Sequence, residues 1–349
     1  MTRFVGINGF GRIGRAIFRI LMQKKCFDAI VINDINPDNK NLAYQLKYDS
    51  LYGKLDYDIT ADDEGITVNG KKVYVYHEKK IDEVPWEKHD VKRVICSSGV
   101  FDNVVRSRNL KEKGIKQSII THSPDEKVLD KSIIMGVNEE ELDVKKDMVI
   151  SSSICDAIAF APVAKALHNS YGIDHGFVTT LHPWLQYQNL LDGPSPSWSM
   201  PGHIFSHYTL GRASTLSLLP KPTTTVMAAS KVLKFLEGKF YSFSYRIPTA
   251  AVCSSDVSVK LNKKVTKEEV INLFKEEERK QKFKIFYNNF EPLVSIDFKG
   301  MEHSVIVDQR WTAVNDGNYL KLILWYDNEW GYSSRVVDLV NYMFEKDNG

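Results

Sequence analysis

Gly9, Gly11 and Gly14 lie in the run Gly6-Ile7-Asn8-Gly9-Phe10-Gly11-Arg12-Ile13-Gly14-Arg15, and no other stretch constrains the fold of this chain as tightly. A G-x-G-x-x-G pattern carries weight when it follows a strand and opens a helix. Here Arg3–Ile7 is short, apolar and β-type, and Gly11–Lys24 carries a helical pattern. Each glycine has its own reason. Gly9 permits a tight turn, Gly11 lets the backbone approach a pyrophosphate, and Gly14 allows helix and strand to pack closely. Phe10, Arg12 and Ile13 complete the loop, and the helix N-terminus offers free N–H groups and a positive dipole end to phosphate. Asp34 closes the next strand twenty residues after Gly14, where a ribose-binding acid belongs. Its carboxylate would accept hydrogen bonds from a 2′-hydroxyl and repel a 2′-phosphate, so the expected cofactor is NAD rather than NADP.

Further β-type runs at Ala29–Asn33, Arg93–Ser97, Ser118–Thr121 and Met148–Ser151 alternate with helical patterns, which predicts a doubly wound α/β sheet of Rossmann type over residues 1–152. One excursion, Asp58–Tyr76 with Asn69-Gly70 between two β-type runs, reads as a hairpin. The texture then changes. Long β-like segments at Gly176–His182, Phe240–Ile247, Ala251–Leu261, Val305–Asp308 and Tyr319–Tyr326 are separated by helical stretches at Thr224–Leu236 and Lys267–Lys280. That pattern predicts an α+β domain with a mainly antiparallel sheet over residues 153–333. The amphipathic segment 334–349 is expected to pack back on the first domain.

At 349 residues, two domains are the natural expectation. A formal charge of +2 from 46 basic and 44 acidic residues gives no field that asks for nucleic acid. The Lys-rich stretch around Lys275–Lys284 alternates with Glu and Phe and reads as a solvated helix. No apolar run approaches the length of a membrane span, and no leader pattern opens the chain, so the expected location is the cytoplasm. The four cysteines show no paired spacing for zinc or redox work, so no metal is expected and each thiol should be free.

Cys155 follows Ser151-Ser152-Ser153-Ile154 and precedes a helical run from Ile158 to Leu167. A cysteine at a helix N-terminus has its thiolate stabilised, and a histidine partner would lower its pKa further. Taken alone, Cys155 reads more often as a small buried residue, and His182 as a satisfied polar one.

The decisive signal is a resemblance to the glyceraldehyde-3-phosphate dehydrogenase family over nearly the whole chain. It is carried by VGINGFGRIGR, Asn33-Asp34, LKYDSLYG from Leu46, SSGVF from Ser97 and MGVN from Met135. TTLH from Thr179, DGPS from Asp192, YRIPT from Tyr245 and WYDNEWGYSSRVVDL from Trp325 continue it. In that family the nucleophilic cysteine precedes the catalytic histidine by 27 residues, as Cys155 precedes His182 here. The resemblance implies attack of the Cys155 thiolate on a small anionic aldehyde, proton removal by His182, hydride transfer to the nicotinamide and an acyl thioester. It further implies that Ser98 and Gly99 contact the cofactor, that Asn328 holds the nicotinamide carboxamide and Tyr332 flanks its ring, and that the assembly is a homotetramer.

The flanks of the nucleophile depart from the family. Where relatives have Ser-Cys-Thr-Thr-Asn, this chain has Ile154-Cys155-Asp156-Ala157-Ile158. A Thr and an Asp that help seat the substrate phosphate correspond to Leu185 and Tyr187, and extra residues run from Pro194 to Tyr208. Arg212, Arg246 and Thr223 match the family's anion-binding residues. Three readings follow: a phosphorylating dehydrogenase for glyceraldehyde 3-phosphate; a relative for another phosphate- or phosphonate-bearing aldehyde, or one with hydrolytic release aided by Asp156; and an inactive NAD-binding scaffold. Asp156 could alternatively serve only to cap the helix after it.

Overall fold

The computed structural model describes residues 3–197 and 199–347, and the chain divides into two units. One comprises residues 1–133, 140–152 and 333–349, the other residues 134–139 and 153–332.

In the first unit the chain runs through β1 (Phe4–Asn8), α1 (Arg12–Lys24), β2 (Ala29–Asn33), α2 (Asn39–Lys47), β3 (Ile59–Asp62), β4 (Gly65–Val68), β5 (Lys71–Tyr76), β6 (Arg93–Cys96), α3 (Phe101–Arg106), β7 (Gln117–Ile120), β8 (Lys131–Ser132) and β9 (Val149–Ser151). The sheet order is β3-β4-β5-β2-β1-β6-β7-β9-β8, parallel from β5 through β8. Val5, Ile7, Ile32, Val94, Ile95, Ile119 and Ile150 are buried completely. Consecutive apolar residues on single strands mean that both faces of the sheet are covered, as parallel sheets require. The order reverses at β1, and ligands of such sheets bind beyond the carboxyl ends of the strands at that point.

The excursion is richer than one hairpin. β3, β4 and β5 form an antiparallel meander, with Asn69 (φ 48°) and Gly70 (φ 77°) turning β4 into β5. Both turn residues adopt left-handed φ, the signature of the tight hairpin turn. The turn Asp63-Glu64 lacks an Asn-Gly pair and is held instead by Asp62 Oδ1, which accepts from Glu64 N (2.9 Å) and Gly65 N (3.0 Å). The C-terminal helix, Trp330–Lys346, belongs to this unit from Ser333 onward. There the buried Arg93 guanidinium donates to Met343 O (3.1 Å) and Asp347 Oδ2 (2.8 Å) and lies over the Phe344 ring.

The second unit contains α4 (Cys155–Tyr171), β10 (Ile173–Pro183), β11 (Leu219–Pro222), α5 (Thr225–Ser230), β12 (Phe240–Ile247), β13 (Cys253–Leu261), α6 (Lys267–Lys280), β14 (Phe286–Asn289), β15 (Val305–Asp308), β16 (Ala313–Asn315) and β17 (Tyr319–Tyr326). Strand order is β11-β12-β10-β13-β17-β15-β14, with β16 beside β17. The pairing is mainly antiparallel, with parallel β10/β12 and β14/β15. The stretch expected as one helix over Thr224–Leu236 is a short helix, α5, followed by a turn and a 3₁₀ segment at Lys234–Leu236. The β-branched Val226 and Val232 and the polar Thr224, Thr225 and Ser230 give that stretch little helical propensity beyond one turn and a half. By contrast α6 has a full capping box, with Thr266 and Glu269 exchanging hydrogen bonds, and spans the predicted residues.

Candidate active site

The glycine loop follows β1 directly. Gly9 N–H donates to Asn33 O (2.7 Å), and Gly9 has φ 97°, a conformation that favours glycine. A methyl group on Gly9 would lie 2.5 Å from Ser98 N, and one on Gly14 would collide with the Gly9 carbonyl oxygen. A methyl on Gly11 would meet nothing. Two glycines are therefore fixed by packing within the protein, and the third faces open space at the start of α1. Gly11 itself caps α1 without a side-chain bond, and no acidic residue sits in the first turn. A helix N-terminus with open space over Gly11 suits a pyrophosphate. Asp34, just past β2, accepts from Phe10 N (2.6 Å) and Asn36 N (2.9 Å), leaving lone pairs for a ribose hydroxyl.

Of the remaining expected cofactor residues in this unit, Arg12 pairs with Asp49 (2.9 Å), the acid of the LKYDSLYG stretch. Ile13 follows it in the first turn of α1. The Ser98 hydroxyl is turned to its own loop, accepting from Val100 N and from Asn103 Nδ2 (3.2 Å), and Gly99 has φ 71°.

In the second unit Cys155 is the first residue of α4, and His182 stands near the end of β10. The Cys155 Sγ to His182 Nε2 distance is 3.8 Å. His182 Nδ1 lies 2.8 Å from Pro183 O, an acceptor only, so Nδ1 carries the proton and Nε2 presents its lone pair to the sulfur. The backbone thus fixes the tautomer that a base needs. Burial holds the His182 pKa down at about 3, Arg246 adds to that, and the opposing pull of Asp156 is smaller. His182 is therefore neutral at ordinary pH.

Asp156 is buried, and its carboxylate is saturated. Oδ1 accepts from Tyr326 OH (2.8 Å) and faces Cys155 Sγ (3.4 Å); Oδ2 accepts from Thr225 Oγ1 (3.2 Å) and Thr223 Oγ1 (3.4 Å). Burial pushes its carboxyl up, but His182, the Tyr326 hydroxyl and Arg246 outweigh that and hold it below the usual carboxylate range. Asp156 is ionised, and its hydroxyl donors come from β17, from Thr223 just after β11 and from α5, with no bond among the described residues to the backbone of the helix N-terminus.

This carboxylate corrects one expectation. The position of Cys155 at a helix start predicts a lowered thiol pKa, yet the thiol is raised. A hydrogen bond with Cys253 pulls it down and Arg246 helps, but burial and the negative charge of Asp156 beside the sulfur carry it up. The resting pair is thiol and neutral imidazole, not thiolate and imidazolium.

Arg246 is the register partner of His182 on the neighbouring strand β12, so both side chains share one face of the sheet. It is 7% exposed, its Nη2 makes one long bond to Tyr187 OH (3.4 Å), and its Nε has no hydrogen-bond partner. A buried guanidinium with an unmet donor and, among the described residues, no carboxylate ion pair has the chemistry to receive an anion. Arg212 differs. It is exposed and paired with the exposed Asp192 (2.7 Å). Thr223 spends its hydroxyl on Asp156 Oδ2 and Thr225 Oγ1 (2.8 Å). Asn328 is buried with an unpartnered Oδ1, an acceptor suited to an amide NH₂. Tyr332 donates to Ser153 O (3.1 Å), which steadies Ser153 at φ 62° two residues before the nucleophile.

The two halves of the chain match two family descriptions. Residues 3–104 match the glyceraldehyde 3-phosphate dehydrogenase NAD binding domain, and residues 154–328 match the glyceraldehyde 3-phosphate dehydrogenase C-terminal domain. The chain is 37% identical to a glyceraldehyde-3-phosphate dehydrogenase of Priestia megaterium (strain DSM 319 / IMG 1521) over 342 residues, 98% of each chain. It is 38% identical to glyceraldehyde-3-phosphate dehydrogenase 1 of Bacillus subtilis (strain 168), again over 98% of each chain. It is 37% identical to glyceraldehyde-3-phosphate dehydrogenase B of Aspergillus oryzae (strain ATCC 42149 / RIB 40) over the same share. The chain belongs to the glyceraldehyde-3-phosphate dehydrogenase family. It is an NAD-dependent oxidoreductase, and the cradle at Gly9–Gly14 fits that cofactor.

Within this family member the sequence reading found Cys155, His182, Asp156 and Arg246, which the structure gathers in one place. It missed Tyr326, Thr225, Cys253 and Lys221. Asp156 was the available signal, because a buried carboxylate demands donors, and the tyrosine of Trp325-Tyr326-Asp327-Asn328 was a candidate.

Proposed function

We propose that the protein oxidises glyceraldehyde 3-phosphate with NAD and inorganic phosphate, through an acyl thioester on Cys155. The observation that carries this reading is the His182 tautomer, with Nδ1–H on Pro183 O and Nε2 at 3.8 Å from Cys155 Sγ. The neutral imidazole takes the thiol proton as sulfur attacks the aldehyde carbon, and returns it to the carbonyl oxygen to complete a thiohemiacetal. The same nitrogen then removes the hydroxyl proton, so that the C–H bond can release its hydride pair and leave a thioester. NAD, when bound, accepts that hydride. Phosphate attack on the thioester carbon expels the Cys155 sulfur and regenerates the site. Asn328 supports this reading as the acceptor for the carboxamide, and Arg246 as a receptor for phosphate.

Release by water is disfavoured. All the good acceptor positions of the Asp156 carboxylate face donors already, and its pKa is lowered, so it is a poor base for activating water. A scaffold role fits poorly with a base held in the reactive tautomer.

The family resemblance extends the same proposal to a homotetramer in the cytoplasm. Leu190, Leu191, Met200, Ile204, Tyr208 and Leu216 are all exposed, an apolar surface of the kind that oligomers cover. No helix among the described residues is long and apolar enough to cross a membrane. Steady-state NADH formation from glyceraldehyde 3-phosphate with and without inorganic phosphate tests the function. Turnover should depend on phosphate; turnover independent of it, or absent with this aldehyde, overturns the reading.

A further inference from the structure

The family resemblance implies that four positions where phosphate is seated are occupied here by Ile154, Asp156, Leu185 and Tyr187, and Asp156 adds a negative charge. A phosphate-using enzyme with these changes needs cationic compensation. β11 carries it. In the β11/β12 ladder Leu219 pairs with Arg246 and Lys221 with Ser244; in the β12/β10 ladder Arg246 pairs with His182 and Ser244 with Thr180. Residues 219 and 221, 244 and 246, and 180 and 182 therefore lie on one face of the sheet. The Thr180 hydroxyl donates to Ser244 Oγ (2.7 Å) on that face, beside Lys221.

We propose that Lys221 is a phosphate-binding residue of this enzyme, which with Arg246 forms a two-cation receptor in place of the missing hydroxyl donors. The proposal rests on the function proposed above. Three observations support it. The Lys221 ammonium bonds only to the adjacent Pro222 carbonyl and has no acidic partner within ion-pair distance among the described residues. Arg246, nine-tenths buried on the same face, keeps an unmet Nε donor. Lys221 also feels the charges of Arg246 and Asp156. Burial and then Arg246 lower its pKa, Asp156 and Cys155 oppose them, and the balance leaves it at about 8. His182 in turn is held down partly by Lys221. Two cations that destabilise each other in a partly buried place are both relieved by one phosphate dianion between them, which raises the Lys221 pKa on binding.

The shared chemistry is a phosphate oxyanion, from the ester of the aldehyde or from inorganic phosphate. Lys221→Met should raise KM for one of these by about 10–100-fold, the worth of a charge-assisted bond, with a smaller fall in kcat. A rise for glyceraldehyde 3-phosphate alone assigns Lys221 to the ester; a rise for inorganic phosphate alone assigns it to the acceptor. Lys221→Arg should keep binding within a few-fold and remove the loss of affinity that the parent shows above pH 8. Lys275→Met on α6 removes the same charge away from the site and should leave both KM values unchanged. A second readout needs no turnover: inorganic phosphate should slow alkylation of Cys155 by iodoacetamide in the parent, and about tenfold more phosphate should be needed in Lys221→Met. Unchanged KM values together with unchanged protection overturn the proposal while leaving phosphate-dependent NADH formation by the parent intact. If the parent has no such turnover, the function reading fails and the protection assay still decides the role of Lys221.

Discussion

The cofactor cradle and the nucleophile pocket obey the same demand, that a ligand be met by prearranged donors, in opposite ways. In the cradle the donors are backbone groups, and glycines exist to let the backbone in: Gly9 and Gly14 because a side chain would strike protein, Gly11 because space must be left open. Little can vary there. In the pocket the donors are side chains, and Asp156 has recruited several of them, so Thr223, Thr225 and Tyr326 now satisfy a carboxylate. The backbone site stays close to its relatives, while the side-chain site has been rewired around one substitution. Positions fixed by backbone geometry resist change; positions fixed by charge can be compensated from a neighbouring strand.

The comparison can be broken most severely at the pocket. Cys155→Ser should lower NADH formation by about 10⁴-fold or more, because a serine hydroxyl beside a neutral imidazole is a far weaker nucleophile towards the aldehyde and its ester is a poorer acyl donor. Retained turnover would remove the thioester from the mechanism. His182→Asn should cost about 10²–10⁴-fold in kcat, the usual worth of a positioned base. The same variant has a stability signature. A histidine with folded pKa near 3 and an unfolded value near 6.5 binds fewer protons folded than unfolded between those values, so stability falls as pH drops from about 6.5 toward 3. His182→Asn should flatten that part of the acid-unfolding curve, read by circular dichroism. An unchanged curve would mean that the imidazole is charged in the folded protein.

In the cradle, Gly14→Ala should abolish NAD binding or folding, whereas Gly11→Ala should leave the melting temperature of the apoprotein unchanged and weaken NAD by about 10-fold or more, measured by calorimetry. Equal losses of stability in the two variants would show that the three glycines are constrained alike. Asp34→Ala leaves the Phe10 N–H without its acceptor and removes the negative charge. It should narrow the preference for NAD over NADP by about 10-fold.

How much of this was legible beforehand follows the same division. β1, α1, β2, β6, β7 and β9 were readable to within a residue or two, because fully buried strands produce unbroken β-branched runs, as in Ala29–Asn33; α2, α3 and the two-residue β8 carried no pattern strong enough to bound them. The three-stranded meander was read as one hairpin because Asn69-Gly70 is the strong two-residue signal, whereas the β3–β4 turn is held by the Asp62 side chain, which accepts from Glu64 N and Gly65 N. α5 was overextended because Thr224–Leu236 keeps a helical apolar spacing through residues whose propensity is poor. At the site, Cys155 and His182 could be paired by spacing, and Asp156 stood out as a departure. Its consequence could not be read. Whether a helix start lowers a thiol pKa depends on which charges face the sulfur, and Tyr326, Cys253 and Arg246 come from strands about 90 to 170 positions further along the chain.

The smallest expected effect isolates the sulfur itself. Cys253 is wholly buried at the start of β13, after Val252 at φ 67°, and its thiol interacts with Cys155. That hydrogen bond is the largest single influence on the Cys155 thiol and acts downward, against burial and Asp156. Removing it in Cys253→Ala should raise the Cys155 pKa further and slow alkylation by iodoacetamide at neutral pH by about 2–10-fold, the range of one modest hydrogen bond. Cys253→Ser keeps a donor at the same place and should stay near the parent rate. If both variants alkylate equally slowly, the effect comes from packing around the residue; if both match the parent, Asp156 and Arg246 alone set the reactivity of Cys155. Only a split between the two variants shows that a second sulfur has been enlisted to offset the carboxylate beside the first.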